Sequence, residues 1–387
     1  MYLFSHQLRI HGSNFLKTSK NSRVFLCAWN TRALVRNYSS GRRSHGGVFK
    51  LGLAGVTVGA LVGTGYSIHR LNQPRLHIIN EEINIPMINE LPKVTPSRQM
   101  LYQDDPTELK LTLYQYQTCP FCCKVRVFLD YYGISYDLIE VDPVLRQAIK
   151  WSPYKKVPIL VAKLSQGYQP LNDSSMIISA LSTYLKDKKD LREIVSCYPL
   201  ITFVDEDGAK KSEIMNKYFQ VLGQPAVAKE ISEERKWRQW VDDVFVHVLS
   251  PNVYRTREEA FESFNWFSEA GEWEKHFPVW ERSIIIFVGA WAMYFIGNRL
   301  KKKYQLKDDV RESLYDECNY WMRAVRAKGS KFMGGDRPNL ADLAVYGVLC
   351  SIEGCQAFKD ALVHTKIKHW YYAMKDVVDN HQGSQFI

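Results

Sequence analysis

Three cysteines fall within five residues of this sequence, at Cys119, Cys122 and Cys123. The first two enclose Pro120 and Phe121 in a Cys-Pro-Phe-Cys motif that follows an alternating apolar segment and precedes apolar residues at helical spacing. A cysteine where a strand gives way to a helix meets the positive end of the helix dipole and free backbone N–H groups, both of which favour a thiolate. The pattern therefore predicts that Cys119 is a nucleophile; a purely structural thiol is the alternative.

The other two cysteines of the cluster leave their roles open. Cys122 lies one helical turn beyond Cys119 and could be a resolving thiol, but Cys122 and Cys123 could equally be small buried helix residues. No second cysteine pair or histidine pair follows at the spacing of a zinc site, so no metal is predicted. The remaining cysteines are scattered, which disfavours a disulfide scaffold and indicates a reducing compartment.

The elements around the motif predict an open α/β layer. Alternation predicts strands at 109–116, 136–141 and 157–161. Helices are expected from Cys119 to a stop at Gly133, from Pro143 to about Trp151, and over 176–185, with Asp173 or Ser174 as the N-cap of the last.

From residue 231 onward the pattern is helical. His247 and Ser250 share one face before Pro251, which is expected to end their helix; a histidine there is more often a core or surface residue than a ligand. The apolar stretch 283–297 is short for a membrane span and predicts a buried helix. Arg299 and Lys301–Lys303 follow it, as a helix cap or an anion contact. Asn339 and Asp342 predict a capping box, which makes Asp342 structural.

The positive charge of the chain is confined to its N-terminus. Residues 1–80 hold 11 of the 51 Lys and Arg residues and no Asp or Glu, which leaves 40 basic against 41 acidic residues in the remainder. The body of the protein is therefore close to neutral, and nucleic-acid binding is not predicted. The composition of residues 1–50 is typical of an organelle targeting segment.

An uncharged run of 18 residues, 51–68, follows the targeting-like segment. This length is just sufficient for a helix to cross a bilayer, so a single N-terminal membrane span is predicted, with a removable segment as the alternative. The prolines of 76–108 are typical of an irregular linker.

Five segments together resemble the type 2 membrane-associated prostaglandin E synthases. They are 111–122, 156–160, 171–175, 250–256 and 332–342, within a region of resemblance at about 108–375. The first two motifs are shared with all glutaredoxins, whereas Ser-Pro-Asn-Val-Tyr-Arg-Thr and Phe-Met-Gly-Gly are far more specific. The resemblance implies an α/β thioredoxin-like domain followed by an all-α domain like that of glutathione transferases.

The resemblance also implies an activity, cofactors and site residues. The expected reaction is isomerisation of prostaglandin H2, or a similar lipid endoperoxide, to prostaglandin E2 by a homodimer that binds glutathione and haem. Cys119 would be the catalytic thiol, flanked by Tyr116 and Phe121. The residues expected to hold glutathione are Cys119, Val157, Asp173 and Ser174, and those expected to hold haem are His247, Ser250 and Arg299.

The predicted organisation has six parts. They are a basic targeting-like segment (1–50), a hydrophobic anchor (51–68), a linker (69–108), a glutaredoxin-like domain (109–187), an insertion or linker, with a hairpin as one form of it (188–230), and a helical domain (231–387). The expected location is a Golgi or mitochondrial membrane, with a processed soluble form in the cytoplasm or near the nucleus as the alternative.

Two other functions remain open from the sequence. The Cys-Pro-Phe-Cys pair is directly compatible with a glutaredoxin-like thiol oxidoreductase or a glutathione transferase. A non-enzymatic module that binds haem or glutathione is the third candidate, because fold alone does not decide function.

Overall fold

The structure is a computed structural model that describes residues 78–82, 86–105, 107–204, 210–221 and 228–387. The targeting-like segment and the apolar run 51–68 lie outside these residues. Two parts follow each other along the chain: a mixed five-stranded sheet with two long helices, and a bundle of helices. The sheet part contains the Cys-Pro-Phe-Cys motif.

The five-stranded sheet has the order β2-β4-β3-β5-β6. Its strands are β2 (Arg98–Met100), β3 (Lys110–Gln115), β4 (Tyr136–Glu140), β5 (Ile159–Leu164) and β6 (Gly167–Asn172). Only β3 and β4 run parallel, joined by helix α1 (Pro120–Tyr131), and the other neighbours are antiparallel. Helix α2 (Ser174–Asp187) follows β6 and packs beside α1. This arrangement is the thioredoxin-like layer that the sequence predicts.

Alternation along the strands gives the sheet two apolar faces. Leu113 and Leu160 belong to the large core shared with α1, α2 and the helical part. Tyr114, Ile159 and Val161 point to the opposite face, where a smaller cluster includes Val157 and Cys122. The motif therefore lies where these two packed regions meet.

One local prediction in this layer is wrong, and one strand was not predicted. No α-helix occupies 143–151, because the Asp142 carboxylate accepts the N–H groups of Val144, Leu145 and Arg146 in a tight turn, and a single 3₁₀ turn (Gln147–Ile149) follows. Strand β6 was missed because Pro170 interrupts its pattern; β6 lies at the edge of the sheet, where a proline is tolerated.

Residues 69–108 contain more regular structure than a linker, and residues 188–230 contain the hairpin that is one of the predictions for them. Strand β1 (Ile78–Glu82) pairs with β7 (Leu200–Val204), which forms a hairpin with β8 (Lys210–Ile214). Strand β2 belongs to the main sheet, and the short helix α3 (Leu191–Val195) precedes the hairpin. The pairing of β1 with β7 spans more than a hundred residues, so no local pattern could predict it.

The helical part begins with α4 (Ala228–Trp240), which continues through a π-helical turn (Val241–Phe245) into α5 (Val246–Val253). Pro251 was predicted to end this helix, but it lies inside α5, which continues for two more residues to Val253. The following helices are α6 (Arg257–Ala270), α7 (Trp273–His276), α8 (Val279–Lys303), α9 (Val310–Ala327), α10 (Leu340–Cys350), α11 (Gln356–His364) and α12 (Lys368–Asp379).

Helix α10 joins the helical part to the sheet part. It packs directly on α1, and a Cβ at Gly347 would lie 2.7 Å from the Cα of Lys124, so only glycine permits this approach. The predicted capping box at the start of α10 is present: Asn339 accepts the N–H of Asp342, and Asp342 accepts the N–H of Asn339. This packing fixes the helix that carries the cysteine motif.

The prediction that 283–297 is a buried helix is wrong. Helix α8 buries Ile285, Ala290 and Gly297, but its outer side exposes the apolar residues Val279, Trp280, Ile284, Phe287, Val288, Phe295 and Ile296. Within the described part of the chain, α8 is the one helix long and apolar enough to cross a membrane, judged by length and composition alone. Apolar content alone could not show which side of the helix is covered.

Candidate active site

Cys119 is the N-cap of α1. Its backbone is extended, with φ of −74° and ψ of 125°, and Pro120 occupies the first helical position. No side chain caps this helix, so its first N–H groups and the positive end of its dipole remain directed at the cysteine. Cys119 is partly exposed, whereas Cys122 and Cys123 are buried. The fold thus presents one thiol of the cluster to solvent.

The environment of Cys119 favours its thiolate. The pKa of Cys119 is lowered first by a hydrogen bond from the Cys122 thiol; burial opposes this, and the N–H groups of Cys122 and Phe121 and the charge of Arg126 add to the lowering. Burial and the neighbouring Cys119 sulfur raise the pKa of Cys122 well above its ordinary value. The two thiols are therefore differentiated: the surroundings lower the pKa of Cys119 and raise that of Cys122.

Cys123 does not share this reactivity. Its Sγ lies 3.4 Å from the Gln117 carbonyl oxygen and 3.1 Å from Nη2 of Arg126. Burial raises the pKa of Cys123 to about 11, despite the lowering effect of Arg126. Burial and the raised pKa favour a structural role for Cys123, which is one of the two roles that the sequence leaves open.

Val157, expected to hold glutathione, and Tyr116, expected to flank the nucleophile, lie with Cys119 on the smaller apolar face of the sheet. Val157 is buried in that cluster and precedes Pro158 in a cis peptide, and Tyr116 and Cys119 pack against the same cluster. Cys119 also donates its N–H to the Tyr116 carbonyl oxygen at 3.1 Å. Phe121 follows in the first turn of α1, with Nζ of Lys124 lying 5.2 Å from its ring centre.

Asp173 and Ser174 lie at the start of α2. The Asp173 carboxylate accepts the N–H of Ser175 at 2.8 Å and of Met176 at 3.3 Å. Its backbone has φ of +70°, a conformation that non-glycine residues rarely adopt and that is found preferentially at functional sites. Nζ of Lys217 approaches the free side of this carboxylate, 3.9 Å from Oδ2.

Two tyrosines near Cys119 were not identified from the sequence. Burial raises the pKa of Tyr154 above its ordinary value, and the nearby Asp173, Cys122 and Cys119 raise it further. Burial likewise raises the pKa of Tyr254, with Cys355 and Cys119 adding to it. Both phenols are therefore neutral donors within electrostatic range of Cys119, one from each part of the molecule. Tyr254 lies inside the segment 250–256 that carries the family resemblance and Tyr154 lies two residues before the segment 156–160, so neither was identified without the fold.

A buried ion pair connects α1 to the helical part beside this site. Nζ of Lys124 contacts the Asp242 carboxylate, and Asp242 Oδ2 accepts hydrogen bonds from Ser175 Oγ at 2.7 Å and from the Tyr218 hydroxyl at 3.0 Å. Lys124 is 1% exposed. The π-helical turn carries Asp242, and such turns occur frequently at functional sites. The network fixes the starts of α1 and α2 relative to each other.

The residues expected to hold haem lie on α5 and α8. His247 and Ser250 are one turn apart on α5, and α8 packs close to Ser250 at Gly297. The His247 ring stacks on Tyr304 at 4.3 Å, and Nζ of Lys303 lies 4.9 Å from the same tyrosine ring. Arg299 is exposed and makes no ion pair within the described residues. Side chains of these types, aromatic and cationic, are the ones that pack on a flat ring and pair with carboxylate substituents.

The chain is similar in sequence to a family of domains and to named animal proteins. Residues 113–185 match the family model described as "Glutathione S-transferase, N-terminal domain". A protein from Mus musculus named prostaglandin E synthase 2 is 48% identical over 277 residues, 70% of this chain and 71% of that protein. A protein of the same name from Danio rerio is 50% identical over the same shares.

Solved structures with a similar arrangement are more distant. A glutathione transferase of Populus trichocarpa is 14% identical with a TM-score of 0.39, covering 71% of this chain and 100% of that one. Glutathione S-transferase III in its apo form is also 14% identical, with a TM-score of 0.40, covering 72% of this chain and 98% of that one.

Proposed function

The chain belongs to the prostaglandin E synthase 2 family and is an isomerase, and from this premise we propose that it converts prostaglandin H2 to prostaglandin E2 through the Cys119 thiolate. The observation that carries the mechanism is the partly exposed Cys119 at the uncapped start of α1, with its pKa lowered by the Cys122 thiol. A soft thiolate suits the weak O–O bond of an endoperoxide.

The reaction needs no external oxidant or reductant. The Cys119 sulfur attacks one peroxide oxygen, forming an S–O bond while the O–O bond breaks, and the second oxygen leaves as an alkoxide. A neutral phenol, Tyr154 or Tyr254, donates its proton to that alkoxide. The resulting phenolate accepts the proton from the carbon that bears the sulfur-bound oxygen. A C=O bond then forms, the S–O bond breaks, and the thiolate is regenerated.

Glutathione is proposed as the cofactor beside this thiol. Val157 would pair its backbone with the cysteinyl unit, and Asp173 with the N–H of Ser174 would receive the charged γ-glutamyl end. When bound, glutathione supplies a second thiol to the site. The support from this chain is the unusual backbone of Asp173 and its position at the start of α2, which packs beside α1.

The single experiment that tests the mechanism compares two cysteine variants on prostaglandin H2. Cys119→Ser should lose isomerisation, because an alcohol is not appreciably ionised near neutral pH. Cys122→Ser should retain most of it, since its hydroxyl can still donate to Cys119 and no disulfide needs to form. Retention of the rate in Cys119→Ser would contradict the thiolate mechanism.

A glutaredoxin-like oxidoreductase is the second candidate. The hydrogen bond between Cys119 and Cys122 favours it, because it places the two thiols in contact. A dithiol oxidoreductase needs Cys122 as a resolving thiol, so Cys122→Ser should cripple dithiol reduction of a protein disulfide while sparing the isomerase. Loss of both activities in that variant would point to the oxidoreductase or to a structural role for Cys122.

The protein is proposed to act as a homodimer that pairs the exposed faces of α8. Trp280 is 62% exposed, Phe287 61% and Phe295 63%, and soluble monomers rarely expose so large an apolar patch. The inner side of α8 is packed on α5 and α6, which favours a protein interface over a membrane span. Analytical ultracentrifugation should show a dimer that Phe287→Glu dissociates; an unchanged dimer would place the interface elsewhere.

Membrane attachment is proposed for the N-terminal run 51–68, in a Golgi or mitochondrial membrane. Removal of residues 1–75 should release the protein to the soluble fraction with its activity retained. If the truncated protein still sedimented with membranes after a high-salt wash, α8 would become the anchor. The Phe287→Glu variant of the truncated protein separates these outcomes, because it weakens any anchor formed by α8.

Haem is proposed to bind near His247, Ser250 and Arg299. When bound, it would supply iron redox chemistry toward the O–O bond, while these residues would contact the ring and pair with a propionate. Titration of haem with optical detection tests this: Arg299→Ala should weaken binding, and so should the omission of glutathione. Equal haem affinity for the original chain with glutathione, the original chain without it and Arg299→Ala would exclude this set of contacts.

A further inference from the structure

The hairpin that precedes the helical part carries a lysine to the start of α2. Strand β8 ends at Ile214, and the turn that follows brings Lys217 to Asp173, with Nζ 3.9 Å from Oδ2. The same ammonium lies 3.2 Å from Oε1 of Glu213, which is half exposed. Lys217 therefore faces the carboxylate that is proposed to receive the γ-glutamyl end of glutathione.

The backbone around Lys217 is fixed to α2 and α4. Ser179 Oγ on α2 donates to the Lys217 carbonyl oxygen at 2.6 Å, and Arg238 donates to the Tyr218 carbonyl oxygen at 3.2 Å. The Tyr218 hydroxyl donates to Asp242, the carboxylate paired with Lys124. Lys217 is therefore held in place by three contacts of its own peptide segment, which reduces the entropy that its side chain and loop would lose on binding a ligand.

The charge of Lys217 is retained in this position. Burial lowers its pKa, but the carboxylates of Asp173 and Glu213 act more strongly in the opposite direction, so the pKa lies above its ordinary value. Its side chain is 21% exposed, which leaves the ammonium accessible. The Lys217 ammonium consequently lies between two carboxylates, 3.2 Å from Oε1 of Glu213 and 3.9 Å from Oδ2 of Asp173, and Asp173 stands at the positive end of a 14-residue helix.

We propose that Lys217 binds the α-carboxylate of the γ-glutamyl residue of glutathione, while Asp173 binds its α-amino group. An amino-acid zwitterion carries both charges on one carbon, and it can pair with both members of the Lys217–Asp173 pair. In this arrangement the N–H of Ser174, at the first position of α2, would donate to the α-carboxylate of glutathione. This inference rests on the proposed glutathione site and adds to it a residue from outside the thioredoxin-like layer.

Calorimetric titration of the full chain with glutathione tests the inference, together with an analogue in which the γ-glutamyl α-carboxylate is an amide. Lys217→Met should weaken glutathione binding about tenfold, in the range of a charge-assisted pair of about 1.4 kcal/mol. The same variant should bind the amide as the original chain does. Lys217→Arg should restore glutathione affinity, and Lys368→Met, at an exposed lysine of α12, is the matched control.

Each outcome of the titration is decisive. If the original chain gives no binding heat and glutathione does not protect Cys119 from alkylation, glutathione binding itself is excluded. If the original chain binds and Lys217→Met binds equally well, only the role of Lys217 is overturned. If Lys217→Met loses affinity for glutathione and the amide alike, Lys217 acts by positioning Asp173, and contact with the carboxylate is refuted.

Discussion

Helices α1 and α2 pack side by side but begin differently. At α1 the N-cap is Cys119, which offers no side-chain acceptor within the helix, and Pro120 follows it. At α2 the N-cap is Asp173, whose carboxylate accepts the N–H groups of Ser175 and Met176. Both helices direct the positive end of their dipole toward the same region, yet only α2 neutralises it with its own carboxylate.

This difference assigns different chemistry to the two helix ends. The uncapped end of α1 stabilises an anion on its own cysteine, which makes the sulfur a nucleophile. The start of α2 already carries the Asp173 carboxylate, and Lys217 lies beside it. It therefore suits a ligand that carries one positive and one negative charge. One helix start is therefore adapted to reaction and the other to binding.

The largest expected effect is at the uncapped helix. Cys119→Ser should reduce prostaglandin H2 isomerisation to the solvent background, measured as prostaglandin E2 formed by the purified chain. Cys123→Ser is the matched control, because its thiol is buried, protonated and hydrogen-bonded to the Gln117 carbonyl. Comparable loss in both variants would show that the effect is on folding and not on the nucleophile.

The N-terminus of α10 is a third helix start, and there the carboxylate serves stability alone. The buried Asp342 carboxylate in the first turn of α10 accepts hydrogen bonds from the N–H groups of Met333, Gly334 and Asn339 and from Trp370. Asp342→Ala should lower the free energy of unfolding by about 3 kcal/mol or more in denaturant titration, because these donors lose their acceptor.

Asn339→Ala serves as the comparison for that variant. It removes only an N-cap acceptor at the same helix, so it should cost about 1 kcal/mol. Equal losses in the two variants would argue against a special role for the carboxylate of Asp342.

The sequence could predict the parts of this account that depend on local pattern. The position of Cys119 between strand and helix, the N-cap at Asp173 and the capping box at Asn339 all follow from short-range rules, and the structure has each of them. The prediction of a helix at 143–151 is wrong because Asp142 can cap a turn as readily as a helix. The sequence pattern did not distinguish these two outcomes.

What the sequence could not predict depends on contacts between distant residues. Lys217 reaches Asp173 because a hairpin folds back onto α2, and Asp242 of the helical part pairs with Lys124 of α1. The exposed face of α8 was mistaken for a core because apolar content does not show whether a partner covers it. Each of these features belongs to the tertiary arrangement.

An intermediate effect is expected at the capped helix. Asp173→Asn retains a side-chain oxygen for Ser175 and Met176, so stability should change by a few tenths of a kcal/mol, whereas Asp173→Ala should cost about 1 kcal/mol. Both variants should lose glutathione affinity in calorimetric titration, because the charge is removed in each. Full affinity in Asp173→Asn would show that the cap oxygen, not the charge, serves the ligand.

The smallest effect concerns the donor to Cys119. The Cys122 thiol is the largest cause of the lowered pKa of Cys119, so Cys122→Ala should raise that pKa and displace the rise of the pH–rate profile to higher pH. Cys122→Ser retains a donor and should displace it less. The measurement is the rate from mildly acidic to mildly alkaline pH; identical profiles in all three chains would exclude the hydrogen bond as a cause.

The central claim is that the thiolate of Cys119 is the reacting species, and direct titration of that thiolate tests it. The rate of Cys119 alkylation should be measured against pH in a Cys123→Ser background and compared with kcat/KM on the same protein. The account predicts that both rise together, with a midpoint below the value of about 8.5 for a free cysteine, and level off above it. A thiolate that forms only at or above that value, or a rate that does not follow it, would contradict the account.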